Sequence, residues 1–372
     1  MRIKELDGLR GIAVLVVINH HYMSWLPATG AWYGWLGVDL FFVLSGFLIT
    51  SILLDLRESE HYFKIFYSRR ALRICPPYFL AIAVYLVVSF ALGKPGTLEL
   101  WLQYIFYYAS LLIHLPFVHL LGKTAEIPLV VSFGLGIMWS LSVEEVYYTI
   151  WAPVVRFTTV KHLSIILIAI VALAPFLRWR LITDHVGILN FYCRMDGLAF
   201  GSALALLVLR RRLSPGVRLR TDRWFDGLAL IAGPLTVCYW LAAKAHVLGP
   251  VAGITLADLS FALTIYALIR RAGGNQFWVR MFRAKWLRSI GMVSYSLYLF
   301  HYALLIVSEN LVGQLHLSQR VNAVSVVLFA LLMTFTVAYG LWYGMESRIL
   351  HWKERKVPSP AHAHTDAVSA NA

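Results

Sequence analysis

The sequence predicts an all-α membrane protein: a polytopic bundle of about ten transmembrane helices with both termini in the cytoplasm. Three observations predict it. Of 372 residues, 59% are hydrophobic and only 14% are charged, against about 25% charged in a typical soluble domain. Apolar stretches of membrane-spanning length recur along the chain. Lysines and arginines gather in alternate loops, as they do on the cytoplasmic side of membrane proteins.

The first helix is predicted over 9–26. Arg2 and Lys4 precede its apolar run as they would in a signal peptide. But Asn19, His20 and His21 interrupt the run, no small-residue cleavage site follows, and a second apolar segment begins at once. It reads as a retained span. Further spans are predicted over 34–54, 74–93, 137–157, 162–178, 193–209, 226–243, 251–269, 289–311 and 323–345. The aromatic segment "LELWLQYIFYYASLLIHL" (98–115) is long enough to cross, and charge argues that it does not. With ten spans and the N-terminus inside, 26 Lys and Arg face the cytoplasm and six face outward. An eleventh crossing would turn "RRRLSPGVRLRTDR" outward, against the orientation rule. The segment is therefore expected in the interface, or re-entering, where aromatic side chains are at home.

Residues 1–350 form one membrane domain on this reading. Residues 351–372, ending "VPSPAHAHTDAVSANA", form a disordered cytoplasmic tail. The net charge of +14 would suggest nucleic acid in a soluble protein; here basic cytoplasmic loops account for it, and nucleic acid is excluded as a partner. Cys75, Cys193 and Cys238 have neither metal-ligand spacing nor a disulfide framework, so no metal is expected.

The informative residues are polar groups at membrane depth. Arg10 and His21 are eleven residues apart, about three helical turns, so they share one face about 16 Å apart along the axis. Asp39 of "GWLGVDLFFVLSGFLIT", Glu144 and Glu145 of "MWSLSVEEVYY", Arg194 and Asp196 of "FYCRMDGLAFG" and His301 of "SYSLYLFHYALL" enter a similar layer. Adjacent Glu144 and Glu145 cannot share a helix face, so one of them is expected at the site. Single residues of this kind can serve only as interhelical glue. The set together reads as a proton-handling site, because charge in the bilayer is costly and kept where it functions. On the cytoplasmic side, "FYSRRALRICPPYF" places Arg69, Arg70 and Arg73 just before a span. Arg70 and Arg73 share a face, and guanidinium forks suit phosphates. Ordinary cytoplasmic charge would produce the same residues.

These stretches carry a resemblance. "ELDGLRGIAVLVVINHH", "GVDLFFVLSGFLIT", "FYSRRALRICPPYFLA" and "MWSLSVEEVYY", in that order, resemble the acyltransferase-3 family, and "FYCRMDGLAFG" and "LRSIGMVSYSLYLFH" also fit. Members O-acylate polysaccharides and other glycosylated acceptors. The resemblance implies that Arg10 and His21 are the essential pair and that Arg70 and Arg73 lie beside an acyl-CoA entrance. Where the family usually has Gln then Phe after "SVEE", this chain has Val146 and Tyr147. No C-terminal esterase-like domain, carried by some members, is expected within the sequence.

The expectation is thus a multi-pass plasma-membrane O-acyltransferase with no bound cofactor. Acyl-CoA, expected to be acetyl-CoA, is the co-substrate and a glycan or glycolipid hydroxyl the acceptor. Arg69, Arg70 and Arg73 would hold CoA phosphates. His21 would act as general base or as an acylated intermediate, oriented by Asp39 or Glu145, with Arg10 steadying CoA or the bundle. The rival reading is a transporter or flippase of a lipid-linked sugar, which intramembrane charge would also suit.

Overall fold

The structure, a computed structural model, describes residues 3–23, 34–91, 93, 137–181, 191–213 and 248–356, with isolated positions between 224 and 235. Every regular element among them is helical, as predicted, and none is a strand. In chain order they are α1 (Lys4–Tyr22), α2 (Leu36–Leu56), α3 (Tyr62–Ala91), α4 (Trp139–Phe157), α5 (Val160–Leu181), α6 (Phe191–Leu213), α7 (Leu248–Arg270), α8 (Phe277–Phe282), α9 (Lys285–Met292), α10 (Ser294–Gly313) and α11 (Gln319–Leu341). A π-turn at Trp342–Glu346 joins α11 to α12 (Ser347–Lys356). Residues 98–115, expected in the interface, most of 226–243, expected as a span, residues 214–223 and the sequence beyond 356 lie outside the described residues.

Among the described residues, seven helices are long and apolar enough to cross a membrane: α2, α3, α5, α6, α7, α10 and the rod Gln319–Lys353 built from α11, the π-turn and α12. α1 and α4 coincide with predicted spans but fall outside this group. Arg10 and the Asn-His-His run in α1, and the paired glutamates in α4, lower their apolar character.

Burial sorts the helices into an inner and an outer set. α2 and α6 form the most extensive pair and are covered along much of their length. They can approach because a Cβ on Gly46 would collide with the Leu198 carbonyl, and one on Gly201 with the Val43 carbonyl; small residues permit such crossings in bilayers. α5 and α11 are peripheral. Ile165, Ile168, Leu173 and Phe176 of α5, and Val321, Val324, Leu328 and Leu332 of α11, point outward. That is how a helix facing hydrocarbon reads.

Two predicted helices differ in extent. α3 begins at Tyr62 rather than 74, so Arg69, Arg70 and Arg73 lie within the helix and not ahead of it. Its Pro76 and Pro77 are internal. They leave the Leu72 and Arg73 carbonyls without helical donors, and close by the Tyr295 hydroxyl donates to the Ile74 carbonyl at 3.1 Å. The predicted 289–311 is two helices, α9 and α10, broken at Val293. The π-turn buries Glu346, which accepts a hydrogen bond from Ser296 just beyond that break.

Candidate active site

Three polar layers are built between these helices. The first joins α1, α2, α3 and α4. Arg70 donates from Nε (3.1 Å) and Nη2 (3.0 Å) to Glu145 Oε1, and its Nη2 lies 3.7 Å from Glu144 Oε2. Its guanidinium carbon stands 3.4 Å from the centre of the Tyr148 ring. Glu144 is held in turn by Ser45, donating at 2.8 Å, and by the Tyr148 hydroxyl, donating at 2.9 Å. The two glutamates therefore both reach this cluster, and one does not turn away as helix geometry suggested. A guanidinium is wide enough to be met from two sides.

Beside this cluster lies a cavity of about 70 Å³, room for several water molecules. Arg10, Phe42, Ser45, Glu144, Ser294 and Tyr298 are among its walls. Arg10 Nε and Ser294 Oγ are buried without a hydrogen-bond partner among the described residues. Buried polar atoms of that kind are normally satisfied, so a polar ligand in the cavity has donors waiting. Arg73, in contrast, is exposed, and its charge is felt by Arg10 and Glu346. Arg69 is half-buried.

The second layer holds the histidines. His301 Nε2 lies 3.1 Å from His21 Nδ1, which is also 3.0 Å from the Val17 carbonyl. His301 Nδ1 donates to the Tyr298 carbonyl at 2.7 Å. Tyr302 meets the His21 ring edge-on, with centres 5.2 Å apart. The next residue of α1, Tyr22, donates to the His301 carbonyl at 2.8 Å and pairs with Thr334 at 2.7 Å. His21 is thus oriented by His301. The carboxylates expected in that role are engaged elsewhere, Glu145 on Arg70 and Asp39 on Arg194.

That last pair belongs to the third layer. Asp39 accepts from Arg194 at 2.7 Å, with the guanidinium between Trp35 and Trp139. Asp196 accepts from Arg178 through both oxygens, at 3.0 and 2.7 Å, and from Thr255 at 2.7 Å. Arg178, read from sequence as an outer-loop charge, is fully buried. Asp258 is buried beside Gly197 with neither oxygen bonded among the described residues. Sequence reasoning passed over Arg178 and Asp258, over Ser45, Ser294, Tyr295 and Tyr298 around the cavity, and over Tyr148 in the Arg70 cluster. Charged residues inside apolar runs signalled the first two; hydroxyls in a membrane helix carry no comparable signal.

Among the described residues no cluster of His, Cys, Asp and Glu has the makings of a metal site. The chemistry available is that of an imidazole pair beyond a small polar cavity, with a basic approach at its other end.

Comparison with known proteins points the same way. Peptidoglycan O-acetyltransferase OatA of Listeria monocytogenes is 30% identical over 326 residues, covering 82% of this chain and 49% of its own length. O-acetyltransferase OatA of Staphylococcus aureus is 28% identical over 354 residues, covering 88% and 54%. The chain spans about half the length of the curated relatives it matches. No solved structure matches it. The acyltransferase-3 family model, an acyltransferase domain, matches residues 3–343, with Arg10, His21, the arginines of α3 and the α4 glutamates all inside that range; the chain belongs to the acyltransferase-3 family.

Proposed function

We propose that this chain is a plasma-membrane O-acyltransferase that moves an acetyl group from acetyl-CoA to a hydroxyl of a surface glycan. Ten spans with both termini cytoplasmic put the arginines of α3 at the inner face and His21 towards the outer one. The observation that carries the proposal is that the polar cavity beside the Arg70 cluster and the histidine pair share Tyr298. The cavity has Arg10 and Glu144 in its wall and reaches Tyr298, whose carbonyl holds the ring of His301, which holds His21.

Acetyl-CoA docks from the cytoplasm with Arg73 and Arg69 on its phosphates. Arg70, fastened to both glutamates, shapes the entrance. Arg10 Nε and Ser294 Oγ are the free polar groups along the acyl path. His21 then takes the proton of the acceptor hydroxyl as its oxygen bonds to the acyl carbon; the carbon–sulfur bond breaks and the CoA thiolate is protonated as it leaves. In a variant, His21 is itself acylated first and passes the group to the acceptor. One named relative acts on peptidoglycan, which makes a cell-wall glycan the acceptor to try first.

The test is acetyl transfer from labelled acetyl-CoA to glycan in membranes carrying the wild-type chain or His21→Ala. General-base loss of this kind costs about 10²–10⁴-fold, so His21→Ala should fall at least 100-fold below wild type. Transfer by the wild type no greater than in membranes lacking the chain, together with no acetyl-CoA binding by the purified protein, would instead favour a sugar flippase. Trapping of labelled acyl-histidine selects the two-step variant.

A further inference from the structure

We infer that His301 is a positioning residue that fixes His21 in its Nδ1–H tautomer, leaving the reactive lone pair on Nε2. The inference rests on the proposal that His21 is the base.

The chain of acceptors runs one way. The Tyr298 carbonyl can only accept, so His301 Nδ1, 2.7 Å away, carries the proton. Neutral His301 then has its lone pair on Nε2. That lone pair lies 3.1 Å from His21 Nδ1, and the Val17 carbonyl lies 3.0 Å from the same atom. Two acceptors converge on one ring nitrogen, which must therefore be N–H. The opposite tautomer of His21 would set its lone pair against the Val17 oxygen. A doubly protonated His301 would set N–H against N–H.

His21 Nε2 has no bonding partner among the described residues, and His21 as a whole is half-buried. The atom that the tautomer leaves basic is thus the one left open to a substrate. As imidazolium forms, both Nδ1 acceptors strengthen their hold, which is the third-group logic of activated nucleophile sites. The frame is stiff. His301 is fully buried, and its carbonyl is gripped by Tyr22, whose hydroxyl also accepts from Thr334 of α11. α1, α10 and α11 are thereby tied at this level. His20, with its ring centre 4.9 Å from that of His21, and Tyr302 flank the pair without orienting Nδ1.

The experiment compares His301→Leu, which removes the acceptor, with His301→Gln, whose amide oxygen can replace Nε2. Initial rates are measured in membranes with acetyl-CoA as donor. His301→Leu should lose about 10–100-fold in maximal rate, since a mis-set tautomer disables a base, while KM for acetyl-CoA stays within about twofold of wild type. His301→Gln should recover a clear part of that rate. In ¹⁵N-histidine spectra of the wild type, the His21 signals, found by difference from His21→Ala, should show protonated Nδ1 and bare Nε2. Full rate in His301→Leu, no advantage of Gln over Leu, or the reversed ring assignment overturns the inference. If His301→Leu does not fold, the wild-type spectrum decides. An inactive His21→Ala beside a fully active His301→Leu refutes this inference alone; an active His21→Ala refutes the base itself.

Discussion

Arg70 and Arg73 sit three residues apart on one helix, yet their surroundings assign them different work. Arg70 spends its donors on Glu145 and lies over Tyr148, whereas Arg73 is exposed. On the proposed reaction, removing Arg73 should weaken donor binding with little harm to the fold: Arg73→Ala should raise KM for acetyl-CoA about tenfold, equivalent to about 1.4 kcal/mol, at an unchanged thermal midpoint. Arg70→Ala leaves two carboxylates facing each other and should lower the midpoint as well; differential scanning of the detergent-solubilised protein separates the two. The sequence made the arginines, glutamates and His21 visible because each breaks an apolar run. It did not reveal who pairs with whom. A helical wheel turns Glu145 away from Glu144, but the breadth of one guanidinium brings both into the same cluster. His301 stood out only as another histidine at depth, because its partner is 280 residues away in the chain.

Helices carry these side chains, and their spacing is set by close contacts. The α2–α6 crossing has backbone where a side chain at Gly46 would be, and it holds both Asp39 and Arg194 in register. Gly46→Leu should part the two helices at a cost of at least about 1–3 kcal/mol, read as a lower yield of folded protein in detergent, while Gly313→Ala, in open space, should be silent. Helix positions were legible where apolar runs are long: α2, α6 and α7 fall within a few residues of their predicted bounds. The start of α3 was not, because its first turns are amphipathic and charged, and a Pro-Pro pair normally argues for a boundary. The break at Val293 was equally hidden: Gly291 stands two residues before it, and a single Gly inside an apolar run does not by itself end a helix.

At the scale of the molecule, the separation of two compartments matters most. Reporter domains fused at the C-terminus and in the loop 270–288 should both report the cytoplasm, and one placed at 314–318 should report the outside; an outward C-terminus would invert the whole path from donor to acceptor. The all-helical membrane architecture followed directly from composition, since only a helix bundle satisfies its backbone across so many apolar stretches. The third polar layer, with Arg178 buried on Asp196 and Asp258 left over, could not be read off, because loop-counting assigns a terminal arginine to water.

The small size of the cavity bears on the physiology of the cell. A cavity of about 70 Å³ lined in part by Phe42, Leu141 and Tyr298 has room for a fragment of a few heavy atoms and none for a nucleotide. On the proposed reaction, an enzyme built this way would let only the acyl group pass from one face to the other and keep the bilayer sealed. Ion gradients across the membrane would then survive each turnover.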